Sequence, residues 1–334
     1  MLIEDNDIFR ELTNVNSWHD KGCDGKNVNI VILDGSGMSR EHMNGYYHDV
    51  LGKENQIGHA TNVGFTIHQF APNAKIYMFD FMRNKSEAIK WITEHEDEID
   101  LINVSLAELH GQTSPTFAPF EHLNIPLICA SGNDDFEDRI SYPARYDWTI
   151  AIGAVHYNYR KKTINVAGYS NEGERLDSVT FSGINMLRDD NYVFSVNGTS
   201  FASPTAVGML ACYIQWRKEH RLPKLTTEQC RKFIYDNCKD LYEPEFNTKS
   251  RYGLFILPKI ESLEMPKQKE SGDVSNQYDL PKGYQVANVE YQGRNVNGII
   301  IDGRTYVQVR TLSEMLNLQI GWNPQTKTVL LKNK

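Results

Sequence analysis

Gly198-Thr199-Ser200-Phe201-Ala202-Ser203-Pro204 sets a hydroxyl where an extended run breaks into an apolar helix, and its reading decides the architecture of the chain. Upstream, Tyr192-Val193-Phe194-Ser195-Val196 reads as strand. Downstream, Ala202 to Trp216 is rich in Ala, Val, Leu, Met and Ile and reads as helix, with Pro204 in a first turn that tolerates it. Ser200 is thereby expected at a helix N-terminus, where free N–H groups and the positive end of the helix dipole favour a developing oxyanion. Taken alone, Gly-Thr-Ser at such a place reads first as a plain helix cap. The rest of the chain has to decide.

A serine hydroxyl is a weak nucleophile near neutral pH, so a catalytic reading needs a base, a group that orients the base, and donors for an oxyanion. The apolar run Val28-Asn29-Ile30-Val31-Ile32-Leu33 reads as a buried strand, with Asp34-Gly35-Ser36-Gly37 at its carboxyl end. Asp34 there is either a turn residue or a carboxylate placed to receive an imidazole N–H. His59 opens His59-Ala60-Thr61-Asn62-Val63-Gly64-Phe65-Thr66-Ile67, whose small and apolar residues suit a closely packed helix. A single histidine is more often structural than catalytic. Pro126-Leu127-Ile128-Cys129-Ala130-Ser131-Gly132-Asn133 is an apolar strand ending in an amide. Asn133 is either a turn residue or an oxyanion donor.

In their order and local settings, Asp34, His59, Asn133 and Ser200 resemble the subtilisin-like serine proteases. The likeness is closest at Gly198 to Pro204 and extends to Ala130-Ser131-Gly132-Asn133, Tyr142-Pro143-Ala144-Arg145-Tyr146, Ile150-Ala151-Ile152-Gly153-Ala154-Val155 and Ala71-Pro72-Asn73-Ala74. Asn103-Val104-Ser105-Leu106 is similar to the family's substrate-lining strand, and Tyr169-Ser170-Asn171-Glu172-Gly173 to the turn after its Gly-Ala-Val strand. The chain departs from the pattern at Gly35, where the family has Ser or Thr, and at Ala60 and Asn62, where it has Gly and His.

The resemblance implies a serine endopeptidase in which Ser200 attacks a peptide carbonyl, His59 is the base, Asp34 orients it and Asn133 stabilises the oxyanion. It implies substrate-binding positions at Ser105, Leu106, Ala107, Ser131, Gly132 and Asp134. The substrate is a protein or peptide, and no cofactor is needed for the chemistry. Asp134-Asp135-Phe136-Glu137-Asp138 has three readings: an acidic pocket rim favouring Lys or Arg before the scissile bond, a solvated loop, or oxygen ligands for structural calcium. No ligand spacing identifies a metal site. Two competing functions are an impaired subtilase fold acting as an interaction or assembly module and an esterase using the same triad.

The net charge of -8 argues against a nucleic-acid partner, and no apolar stretch is long enough to span a membrane. Met1-Leu2-Ile3-Glu4-Asp5-Asn6-Asp7 lacks the basic start and apolar core of a secretory signal. The expected compartment is therefore the cytoplasm, with non-classical release or a phage-associated location as alternatives. Cys129 and Cys212 lie in apolar segments, as buried free thiols do, and the five cysteines cannot all pair internally.

Alternating strand-like and helical segments, including a helix over Lys85 to His95 and another over Leu225 to Asp236, imply an α/β fold. Its sheet is mostly parallel, subtilisin-like, with helices on both faces. This domain is assigned to residues 1–262. A Pro/Lys/Glu/Ser/Gly/Gln-rich linker follows over 263–282. Residues 283–334 form a small α+β module with strand-like pieces, an Asp302-Gly303 turn and a short helix over Arg310 to Leu316. Val296 to Arg310, with Gly321-Trp322-Asn323 and Lys327-Thr328-Val329, resembles the copper-amine-oxidase N-terminal-like domain of Gram-positive bacteria and their phages. The segment has no histidine or cysteine to hold copper. It is expected to bind a partner, space or self-associate, or simply to stabilise the chain.

Overall fold

The computed structural model describes residues 2–35, 47–51, 58–107, 116–187, 192–242 and 248–263, and the strand residues 285–291, 294–301, 304–306, 318–323 and 328–333. Ser36 and Gly37, the linker, the Asp302-Gly303 turn and the helix expected over Arg310 to Leu316 lie outside the described residues. The chain divides into two compact units, Met1–Leu263 and Glu264–Lys334.

The first unit is built on a ten-stranded sheet. Its strands are β1 (Asn29–Asp34), β2 (Tyr47–Leu51), β3 (Lys75–Asp80), β4 (Leu101–Val104), β5 (Leu127–Ala130), β6 (Ile150–Asn158), β7 (Thr163–Val166) and β8 (Ser178–Phe181). A separate hairpin, β9 (Ile184–Leu187) and β10 (Val193–Val196), comes next in the chain, and β11 (Cys238–Lys239) and β12 (Leu254–Phe255) complete the sheet. The spatial order is β11-β12-β8-β6-β5-β4-β1-β3-β2, with β7 paired to β6. All neighbours along it are parallel except β11 with β12, and β7 is antiparallel to β6. β1, β4 and β5 are buried almost throughout, the pattern expected of parallel strands covered on both faces. β1 lies between β3 and β4, so the chain reverses its direction of winding there, and such a switch opens a crevice at the strands' carboxyl ends.

The helices are α1 (Asp7–Leu12), α2 (Val15–His19), α3 (His59–Phe70), α4 (Lys85–Glu94), α5 (Thr199–Glu219) and α6 (Thr227–Asp236). α5 is buried along almost its whole length, so it shows no amphipathic stripe and forms the spine of the unit against β4, β5, β6 and β8. It packs directly on α3. Gly208 makes that approach possible, since a Cβ there would stand 2.6 Å from Phe70 Cβ and 3.1 Å from Ile67 O. On α4, the ring of Trp91 packs at a tilt against Tyr77 and Phe79, which share one face of β3 by the period of two. α6 begins with a capping box in which Thr226 and Gln229 satisfy each other's backbone N–H.

α5 starts at Thr199, three residues before the apolar run that marks it in the sequence. Pro204 is therefore its sixth residue rather than part of a tolerant first turn, which corrects the expectation above. The N-terminal segment is tied to α3 and to the chain beyond β12. Gln69 Oε1 accepts from Ile3 N at 2.8 Å and Asn6 Nδ2 at 3.2 Å, and Trp18 Nε1 donates to Pro258 O at 2.8 Å.

In the second unit β13 (Gln285–Tyr291), β14 (Arg294–Ile301) and β15 (Arg304–Tyr306) form an antiparallel sheet. β16 (Leu318–Asn323) pairs antiparallel with β17 (Thr328–Asn333).

Candidate active site

The carboxyl ends of β1, β4 and β5 meet the N-terminal ends of α3 and α5. Asp34 closes β1 in register with Asp80 of β3 and is 1% exposed. A carboxylate so enclosed needs compensating donors. Among the described residues it has two: Gly35 N at 2.6 Å, and Nδ1 of His59, which lies 2.9 Å from Oδ1 and 3.0 Å from Oδ2. Gly35, a departure from the family pattern, thus serves the carboxylate through its backbone.

His59 is the first residue of α3, and its side chain remains 41% exposed at the mouth of the crevice. Packing around the ring is the largest single influence on its pKa and acts downward. The hydrogen bond and the charge of Asp34 together outweigh it, so the pKa is raised. With Nδ1 donating to Asp34, Nε2 is the atom left to accept a proton. The ring lies 5.5 Å from that of Phe201, the neighbour of Ser200.

Ser200 is the second residue of α5. Its Oγ donates to Ser105 O at 3.4 Å, and no hydrogen bond joins it to His59 among the described residues. The three groups are brought to one place, with the serine hydroxyl turned toward the end of β4. Asn133 follows β5, and its Oδ1 accepts from Thr199 N at 2.8 Å and Thr199 Oγ1 at 3.0 Å. Because a backbone N–H only donates, the atom facing it must be the amide oxygen. Nδ2 is thereby directed away from Thr199 and makes no hydrogen bond among the described residues.

The remaining predicted positions lie on the segments that follow β4 and β5. Ser105 is 5% exposed, and its hydroxyl donates to Ser200 O at 2.8 Å. Leu106 and Ala107 continue that segment toward the surface. Ser131 is buried, with Oγ 3.2 Å from Asn171 O, and Gly132 N donates to Thr199 Oγ1 at 3.2 Å. Asp134 is exposed, its Oδ2 accepting from Asn171 Nδ2 at 3.1 Å.

Reading motifs in isolation misses three supporting residues. Thr199 ties the serine turn to the Asn133 loop through the bonds just given. Buried Asn171 accepts from Asp134 N at 2.8 Å and Phe136 N at 3.2 Å, holding that loop in shape. Tyr169 OH accepts from Gly198 N at 2.8 Å and contacts Ser182 Oγ at 2.8 Å. Thr199 sat within the quoted motif and Asn171 and Tyr169 within the quoted turn, but only the fold shows what they face. Among the described residues there is no group of three or more His, Cys, Asp or Glu placed to hold a metal ion. No helix among them is long and apolar enough to cross a membrane.

Two helices packed side by side, one beginning at a carboxylate-bound histidine and the other bearing a serine in its first turn, on a mostly parallel sheet, define the class of subtilisin-like serine endopeptidases. The chain belongs to the Subtilase family, whose profile matches residues 50–254. That match covers His59, Asn133 and Ser200 and begins downstream of Asp34. Residues 285–334 match the copper amine oxidase N-terminal domain. The chain is similar to subtilisin DY of Bacillus licheniformis, 28% identical over 252 residues that span 66% of this chain and 87% of that protein. It is also similar to the major intracellular serine protease of Bacillus subtilis strain 168, 26% identical over 246 residues spanning 63% and 75% of the two. Among solved structures, a cold-adapted subtilisin-like serine proteinase superposes with a TM-score of 0.55 at 20% identity, covering 70% of this chain and 89% of that one. These relatives fit the expected Gram-positive affinity.

Proposed function

We propose that the chain hydrolyses peptide bonds through an acyl-enzyme, with Ser200 as nucleophile, His59 as general base and Asp34 as the group that orients the base. The observation that carries this reading is the bidentate approach of Asp34 to His59 Nδ1 beside the N-terminus of the helix that bears Ser200. Rotation about the Ser200 Cα–Cβ bond turns Oγ from Ser105 O toward His59 Nε2. As Oγ attacks the substrate carbonyl, its proton passes to Nε2, and Asp34 stabilises the imidazolium. Asn133 Nδ2 and the N–H of Ser200 donate to the carbonyl oxygen as it becomes an oxyanion. The imidazolium then protonates the leaving amine, and water, deprotonated by the same imidazole, releases the acyl group.

A fluorophosphonate probe tests the assignment. The wild-type chain is expected to be labelled, and Ser200→Ala is expected to abolish labelling. Equal labelling of the two would refute it, and an unlabelled wild type would favour the impaired-fold alternative.

The acidic loop after Asn133 supports a further preference. Asp134, Asp135, Glu137 and Asp138 are all exposed, next to the proposed oxyanion donor, and favour a basic side chain before the scissile bond. Peptide-library cleavage dominated by Phe or Leu at that position would overturn this preference. We assign the C-terminal unit a binding or self-association role, since residues 283–334 contain neither His nor Cys and so do not fit copper despite the domain's name. Sedimentation of the full chain across a concentration range tests self-association, and a strictly monomeric result would count against it.

A further inference from the structure

Pro204 creates a vacancy in α5 that bears on Ser200. In a regular helix the N–H of residue 204 would donate to the carbonyl of residue 200. Proline has no N–H, and its ring crowds the carbonyl four residues earlier. That carbonyl belongs to Ser200. It is satisfied from outside the helix: Ser105 Oγ, on the segment leaving β4, donates to Ser200 O at 2.8 Å.

The donor is itself held. Asn103 Nδ2 donates to Ser105 Oγ at 2.9 Å, which leaves the single hydroxyl hydrogen of Ser105 for Ser200 O. Ser203 Oγ in turn donates to Asn103 Oδ1 at 2.8 Å, with Ile128 O at 3.1 Å. Asn103 and Ser203 are fully buried and Ser105 nearly so, so water does not compete for these bonds. The chain of bonds runs from α5 through β4 and back to the peptide of Ser200.

We infer that Ser105, oriented by Asn103 and Ser203, is a positioning residue that replaces the hydrogen bond Pro204 cannot make and thereby sets where the nucleophile's backbone stands. Without it, the half-buried carbonyl of Ser200 would lose its donor, and the first turn of α5 would rotate to find a partner. Such a rotation displaces Oγ from His59 and the Ser200 N–H from the oxyanion, and misplacement of that order slows chemistry more than binding. This inference rests on the reading of Ser200 as nucleophile.

The test is a double-mutant cycle of Ser105→Ala and Pro204→Ala, read by the rate of fluorophosphonate labelling, by kcat and KM on a p-nitrophenyl ester, and by melting temperature. Pro204→Ala restores an N–H that reaches Ser200 O within the helix. Ser105→Ala alone is expected to slow labelling about 30-fold and to lower kcat, leaving KM within about twofold. In the Pro204→Ala background the same substitution is expected to cost less than about threefold, with a smaller fall in melting temperature. Equal losses in the two backgrounds, or an effect confined to KM, would overturn the inference. If Ser105→Ala does not fold, Ser203→Ala serves instead, with labelling slowed by about three- to tenfold; a wild-type rate would overturn the inference. Ser200→Ala separates the two levels. A labelled wild type, a silent Ser200→Ala and an unaffected Ser105→Ala would refute positioning alone, whereas an unlabelled wild type would remove the nucleophile and positioning together.

Discussion

Asp34 meets Nδ1 of His59 with both carboxylate oxygens, at 2.9 and 3.0 Å. The contact joins the end of β1 to the start of α3 and leaves Nε2 as the ring nitrogen free to accept a proton. It also sets the pH response. Burial alone would depress the His59 pKa, and Asp34 reverses the sign.

In the proposed mechanism the base is the neutral His59 ring, so kcat/KM is expected to rise with pH through a pKa above the ordinary imidazole value of about 6.5. The stability linkage has the opposite sense. The folded pKa is raised, so the contribution of protonated His59 is complete below the unfolded value and is lost as pH climbs through the folded one. Asp34→Asn leaves only burial and is expected to move the His59 pKa downward, with kcat reduced by about 10⁴-fold, the scale known for this substitution in triad proteases. NMR titration of the imidazole checks the direction, and an unchanged or higher pKa would contradict it.

Asn133 and Thr199 make a graded pair. Asn133→Leu removes the proposed oxyanion donor and is expected to lower kcat by about 10²- to 10³-fold, the magnitude of the same loss in subtilisin. Thr199→Val keeps the shape but deletes the hydroxyl that contacts Asn133 Oδ1 and Gly132 N. It is expected to cost about tenfold, in kcat rather than KM. Steady-state kinetics on one peptide substrate decides whether the order holds.

Gly132 has φ +109°, and a Cβ there would collide with Asn171 Nδ2 and stand 2.6 Å from Ser141 Oγ. Gly132→Ala is therefore expected to destabilise the unit by about 3 kcal/mol, from backbone strain and overpacking together. Urea denaturation followed by tryptophan fluorescence measures the loss. A shift under about 0.5 kcal/mol would mean that the Asn171 loop gives way freely.

Asn6 bonds both Gln69 and Asn185: Nδ2 donates to Asn185 O at 2.9 Å and Asn185 N donates to Asn6 Oδ1 at 2.8 Å. Asn6 is wholly buried, and Gln69 lies near the end of α3 opposite His59. Asn6→Ala is expected to cost about 2 kcal/mol of stability while leaving kcat and KM of the folded enzyme unchanged. Thermal melting and assays at low temperature separate the two effects.

Much of the fold was legible because its signals are local. The apolar runs of β1, β4 and β5 mark buried parallel strands, and the helix read over Leu225 to Asp236 lies within two residues of α6 at both ends. The start of α5 was less legible: its first turn, Thr199 to Phe201, carries no apolar run, and its Pro204 is a residue that normally ends helices. What retains it is a hydroxyl contributed by Ser105, ninety-nine positions from Pro204 in the chain, which no window on the sequence could pair with it.

By itself, the sequence determined which chemical groups exist and on what kind of element each sits, because residue type and short-range periodicity are written residue by residue. It placed Asp34 after a strand, His59 at a helix, Asn133 after a second strand and Ser200 at a helix N-terminus. Only the tertiary structure decided what those groups face. The tautomer of His59 follows from the carboxylate it meets, the direction of the Asn133 amide from the N–H of Thr199, and the bonding of the Ser200 carbonyl from a hydroxyl on β4's far end. Hydrogen bonds act over about 3 Å, a range that the packing of α3 against α5 on the sheet sets and the order of residues along the chain does not.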